Sequence, residues 1–286
     1  MTPVEYHLHL PETITCGTVF SSPHSGRDYP AAFLEESVLD PVAIRSSEDA
    51  FVDDLFRAAT DFGAPLLCAS APRAYVDLNR GIEELDAAAI EGVRASKGNP
   101  RVASGLGVIP RVVSEGRALI SGKITMAQAQ TRLERYYTPY HAQLADLLRT
   151  ARAAFGQVLL VDCHSMPHEA VANVSGVFGR SPDIVLGDRF GSSCDNLFVE
   201  EIESFLKQEG FRVARNTPFA GAYIAQAYGR PSSGQHCLQI EIDRSLYLNE
   251  KTVTKSDQFD DVRKSLSKVA AQICEMTSWP MQMAAE

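Results

Sequence analysis

Short apolar runs separated by longer amphipathic stretches set the rhythm of this chain. One run, residues 158–161 within the segment 157–167 (QVLLVDCHSMP), leads straight into Asp162, His164 and Ser165. That pattern predicts a strand buried on both faces whose carboxyl end delivers polar side chains. Similar runs predict strands at 18–22, 65–69, 183–187 and 211–214, with another short one at 74–78. Residues 234–244 (GQHCLQIEIDR) alternate Leu238, Ile240 and Ile242 with Gln239, Glu241 and Asp243, again a strand. Between the strands, apolar residues recur at three- and four-residue steps. Leu133, Tyr136, Tyr137, Tyr140, Leu144, Leu147 and Leu148 mark a helix over 125–152, opened by a Thr125/Gln128 capping-box pair and kinked or broken at Pro139. Further helices are expected over 31–39, 196–208 and 256–276. Ser47 is placed to cap another, which buries Phe51, Val52, Leu55, Phe56 and Ala59 and ends at Gly63, with Glu48 in its first turn. Buried strands alternating with helices predict an α/β fold with a mixed, mostly parallel sheet and helices on both faces. Residues 81–122 break the rhythm and are rich in glycine, alanine and charge, as expected of an excursion that covers a site.

At 286 residues the chain is long enough for a large core, and no linker-like stretch divides it, so a single domain over 1–286 is expected. A net charge of -9 argues against a nucleic-acid partner, which would want a basic face. A small anionic ligand is still compatible, because a few arginines in a pocket outweigh the global charge locally. The amino terminus has no basic segment followed by an apolar core, and no apolar run approaches the roughly 18 residues that span a bilayer. A cytoplasmic protein without a membrane partner is the expectation. The six cysteines contain no C-x-x-C pair, which predicts free, mostly buried thiols in a reducing compartment.

The polar residues at the strand ends then become chemically interesting. His24 follows one apolar run and His164 another, each succeeded by Ser. With Glu48 at an expected helix start, they make up two imidazoles and a carboxylate, a common catalytic zinc set that leaves a position for water. Zinc lowers the pKa of such a water and polarises a carbonyl. Asp162 is placed to orient a ligand imidazole. Glu241, flanked by Ile240 and Ile242, is the candidate general base, since desolvation raises a carboxyl pKa. Arg73, Arg80, Arg111 and Arg244 are the candidate cations for an anionic substrate.

Taken in order, Ser22-Pro23-His24-Ser25-Gly26, Ser47-Glu48-Asp49, the segment 73–80 (RAYVDLNR), Asp162-Cys163-His164-Ser165 and Glu241-Ile242-Asp243-Arg244 resemble the N-formylglutamate amidohydrolase family over about residues 21–248. The piece 76–80 (VDLNR) is also similar to the Asn-Arg element with which zinc carboxypeptidases hold a terminal carboxylate. The resemblance implies a phosphorylase/hydrolase-like α/β fold and one Zn2+ at His24, Glu48 and His164. It further implies substrate-carboxylate binding by Asn79 and Arg80, and Glu241 as base. The expected reaction is hydrolysis of an N-acylated acidic amino acid, most simply N-formyl-L-glutamate, with Arg73 near the oxyanion and Arg111 or Arg244 meeting the side-chain carboxylate. The carboxypeptidases place a Glu three residues after the first His, and here that position is Arg27. The carboxylate ligand must therefore come from elsewhere, with Glu48 first and Asp28 in reserve.

Overall fold

Nine consecutive buried residues, Val158–Met166, form the strand β4 at the centre of the sheet. The computed structural model describes residues 4–94, 98–172, 174 and 181–278. Around β4 stand β1 (Tyr6–His9), β2 (Thr18–Ser22), β3 (Leu66–Ala69), β5 (Ile184–Gly187), β6 (Val213–Arg215) and β7 (Gln235–Asp243), in the order β1-β3-β2-β4-β7-β5-β6. β3, β2, β4 and β7 run parallel, while β1 and the β5–β6 pair run against them. This is the mixed, mostly parallel sheet that the apolar runs imply. Unbroken apolar strands suit it because both faces are covered.

Alternation along the strands decides which side chain goes where. Leu159, Val161 and Cys163 join Leu238, Ile240 and Ile242 on one face, under the helices Val52–Leu55, Asn196–Gln208 and Phe259–Met276. Val158, Leu160, Val19 and Cys237 turn to the other face, under the helix Thr138–Phe155. Leu160 has no solvent exposure. Leu160→Ala is therefore expected to cost about 2–5 kcal/mol of stability, as transfer and cavity terms add. Denaturant unfolding measures it; a loss under about 1 kcal/mol would mean that this layer is loosely packed.

All six cysteines are buried and free. Among the described residues, no helix is long and apolar enough to cross a membrane. The Thr125/Gln128 capping box is present, and the expected interruption near Pro139 is a π-helical turn over Leu133–Tyr137 before Thr138–Phe155 begins.

Two local expectations give way to tertiary contacts. Residues 74–78 form turns rather than a strand, with the N–H groups of Tyr75 and Val76 donating to Pro72 O and that of Asp77 to Val108 O. The helix expected from Ser47 begins only at Val52, behind Phe51 at φ 64°, and passes at Arg57–Phe62 into a 3-10 turn ended by Gly63. Ser47, Glu48 and Asp49 lie outside it. The N–H of Asp49 donates instead to His24 O, which ties this segment to the end of β2. The left-handed backbone of an aromatic residue is costly and marks where that tie is enforced. Of the excursion 81–122, residues 101–116 contribute one wall of a cavity at the carboxyl ends of the parallel strands.

Candidate active site

Chain order reverses between β2 and β4: from β2 the chain goes to β3 on one side, and β4 lies on the other. Ligand crevices in open α/β sheets form outside the strand ends at such a point. His24 follows β2 and His164 lies near the end of β4, with ring centroids 4.7 Å apart. The turn after β2 runs close to residues 70–71, where a Cβ on Gly26 would lie 2.1 Å from Ala71 O, so only glycine lets His24 swing back over the sheet.

The carboxylate between the rings is Asp49. Its Oδ2 lies 2.9 Å from His164 Nδ1 and 3.3 Å from His24 Nδ1, and the three ligand atoms fall within 4.8 Å of one another. All three residues are buried. Each imidazole is also held from behind. His24 Nε2 is 2.7 Å from Asp77 Oδ1, and His164 Nε2 is 3.0 Å from Asp162 Oδ2. Asp77 hydrogen-bonds the His24 ring, which fixes the nitrogen that carries the proton and turns the other lone pair inward, whereas Asp162 stands beside His164 as a charge without a hydrogen bond among the described residues. His24 Nδ1 is buried without a hydrogen-bond partner among the described residues, a donor atom left over at the centre of the group. Two inward-facing nitrogens and one carboxylate suit a divalent cation of the zinc type.

The expected third ligand, Glu48, faces elsewhere. Its carboxylate accepts two hydrogen bonds from Arg45 at 2.9 Å each and one from Tyr29 OH at 2.6 Å. Asp28 is exposed and paired with His7 at 3.3 Å. The difference of one residue has a physical cause. The bend over 46–51, tied by the Asp49 N–H to His24 O, turns Asp49 rather than Glu48 toward the histidines.

Electrostatics fit the same picture. Burial would raise the Asp49 carboxyl, but the hydrogen bond from His164, the adjacent His24 imidazole and the Arg244 charge outweigh it and hold the group well below the usual carboxylate range. Burial likewise opposes charge on His164, yet Asp162, Asp49 and Glu241 hold it well above its ordinary value. Without a cation the group thus keeps a proton on His164, which a metal ion would displace.

Glu241 stands beside His164 because the parallel register of β4 and β7 pairs the two positions and alternation sends both to the same face. It lines the cavity, accepts a hydrogen bond from Gln239 at 2.8 Å, and is pushed up to about 7, chiefly by burial. The cavity measures about 660 Å³, within the roughly 300–1,000 Å³ of small-molecule sites.

The arginines divide. Arg73 and Arg80 line the cavity beside Asp77, at 3.0 and 3.9 Å. Arg244 also reaches it, but its guanidinium is committed to Asp49 at 2.8 Å, Ser165 Oγ at 3.1 Å and Ser46 O at 3.2 Å. Arg111 is outside the cavity lining and donates to Asp86 at 2.9 Å and to Ala103 O. Asn79 Nδ2 lies 3.1 Å from His164 Nε2, and its Oδ1 accepts from the N–H of Ile224 at 2.7 Å. Asn79 is thereby tied to the site's frame as well as to its surface.

The family model for N-formylglutamate amidohydrolase matches residues 16–248. The chain belongs to this family. The crystal structure of an N-formylglutamate amidohydrolase from Ralstonia eutropha JMP134 is 36% identical, with a TM-score of 0.89 over 96% of this chain and 98% of that one. An N-formylglutamate deformylase of Pseudomonas aeruginosa is 29% identical over 82% of each chain. The one from Pseudomonas putida is 27% identical over 81% of this chain and 82% of its own. Within the N-formylglutamate amidohydrolase fold, sequence reasoning passed over three residues of the cavity: Asp49, Asp77 and Arg101. Asp77 carried a signal, an acidic residue flanked by buried Val76 and Leu78, and Asp49 adjoined the residue chosen.

Proposed function

We propose that this chain hydrolyses N-formyl-L-glutamate to formate and L-glutamate in the cytoplasm, with one zinc ion held by His24, Asp49 and His164. The observation that carries the reading is the convergence of two carboxylate-backed imidazoles, Asp49 and the elevated Glu241 in one cation-lined cavity. The names of the relatives support the choice of substrate. When bound, zinc supplies a Lewis acid that polarises the formyl carbonyl and lowers the pKa of water.

The chain's own residues do the rest. Glu241 takes a proton from water as its oxygen bonds to the formyl carbon, and returns the proton to the amide nitrogen as the C–N bond breaks. Arg73 lends positive charge to the oxygen on which negative charge develops. Arg80 receives the α-carboxylate. Asp77 keeps the His24 imidazole turned inward, Asn79 holds that of His164, and the Asp162 charge lies beside it.

The test is formate release from N-formyl-L-glutamate, followed before and after dialysis against a chelator. Activity should vanish on metal removal and return with zinc. Zinc-loaded protein that releases no formate would end this reading, and turnover unaffected by complete metal removal would end its zinc part.

A further inference from the structure

Among the described residues, four arginines line the cavity: Arg73, Arg80, Arg101 and Arg244. The guanidiniums of Arg73 and Arg244 are paired with Asp77 and Asp49, and Arg80 donates to Leu106 O at 2.9 Å and Asn79 O at 2.7 Å. Arg101 differs. It is exposed, and among the described residues its side chain has no hydrogen bond or ion pair. An unpaired cation facing a pocket is available to a ligand in a way the other three are not.

Its position is also built. Arg101 sits in the short helix Pro100–Ala103, whose first turn is capped by the Asn99 side chain, itself bonded to Glu84 at 2.8 Å. On the far side Arg111 braces the segment by donating to Ala103 O while anchored on Asp86. Arg80 is buried, which disfavours its charge, and the neighbouring charges of Arg73 and Arg101 disfavour it further. An anion between Arg80 and Arg101 would relieve that repulsion.

Depth orders the two cations. Arg80 lies beside Asp77, which holds His24, so it is close to the reacting centre. Arg101 is on the outer wall. In an N-formyl dicarboxylic amino acid the α-carboxylate is near the scissile amide and the side-chain carboxylate two methylenes farther out. We infer that Arg101 reads the distal carboxylate of the substrate and makes this a site for N-acyl dicarboxylic amino acids. The inference rests on the deformylase reading above, which named no residue for that carboxylate.

The experiment compares the wild type with R101A and R101K on three compounds: N-formyl-L-glutamate, N-formyl-L-glutamine, which lacks the distal charge, and 4-formamidobutanoate, which keeps only the distal carboxylate. In R101A the kcat/KM preference for N-formylglutamate over N-formylglutamine should fall about 10- to 100-fold, carried mostly by KM, as expected for a lost charged hydrogen-bond pair. Turnover of 4-formamidobutanoate should fall in parallel, and R101K should recover part of both losses, having the charge without the fork. An unchanged preference in R101A overturns the inference. So does a loss shared equally by all three compounds, or one confined to the two that carry an α-carboxylate. Calorimetric binding of N-formylglutamate separates this from the deformylase reading. If the wild type releases formate from none of the three, that reading fails, and affinity for N-formylglutamate then decides Arg101 alone. Weaker binding by R101A supports the inference, whereas equal binding, or none by the wild type, overturns it.

Discussion

Glu241→Gln should lower kcat for N-formylglutamate by about 10²–10⁴-fold, the usual contribution of a positioned general base. At 1.36 kcal/mol per tenfold, that is about 3–5 kcal/mol of transition-state stabilisation. KM should stay within a few-fold, because the substitution keeps the side chain's shape and the Oε1 that accepts from Gln239. The same residue should set the acid side of the pH profile. Burial raises its pKa to about 7, and the carboxylate is the form that accepts a proton, so kcat/KM should fall as pH drops, tenfold per unit below the limb. A bound cation favours the carboxylate and moves the limb to lower pH, which puts it at or below about pH 7 in the zinc-loaded protein. Steady-state rates between pH 5 and 9 for both proteins provide the measurement. Glu241→Gln turning over near the wild-type rate, or a wild-type acid limb well above 7, would remove Glu241 as the base.

What could be read from the chain was what short-range periodicity encodes. The run Val158–Val161 and the alternation of Leu238, Ile240 and Ile242 announced β4 and β7, and the histidines closing two apolar runs announced the crevice. Adjacency was not local. His164 and Glu241 are 77 positions apart in sequence and meet through the β4–β7 register, which no spacing along the chain states. Arg111 shows the same limit in reverse. Alone in the sequence it is a free cation, and only the fold brings Asp86 beside it. Arg101 lay in an irregular stretch where neither a helical nor a strand period marked a face. The choice between Glu48 and Asp49 turned on one bend. In a regular helix consecutive side chains diverge by about 100°, so either could have faced the histidines. The hydrogen bond from Asp49 N–H to His24 O and the left-handed Phe51 decided it.

That bend yields the sharpest contrast between two adjacent residues. Wild-type protein purified without chelator should carry about one zinc per chain. Asp49→Asn should lose it, with an affinity drop larger than the 10–100-fold typical when only an outer partner of a ligand is removed. Asparagine keeps the shape of Asp49 but withdraws the anion that balances the histidines, the Arg244 guanidinium and the metal. Glu48→Gln should keep the zinc and lose stability instead, since Arg45 forfeits its paired carboxylate while Tyr29 retains an acceptor. Metal content should thus separate the two variants, falling in Asp49→Asn and holding in Glu48→Gln, whose melting temperature falls with its zinc retained. Proton balance gives an independent check. His164 is held well above its ordinary pKa by Asp162, Asp49 and Glu241, so zinc entering the metal-free protein at neutral pH must expel its proton. Zinc affinity should therefore weaken as pH falls, and binding in weakly buffered solution should acidify it. Zinc kept by Asp49→Asn and lost by Glu48→Gln would return the ligand role to Glu48 and show that the 46–51 bend reverses when metal binds.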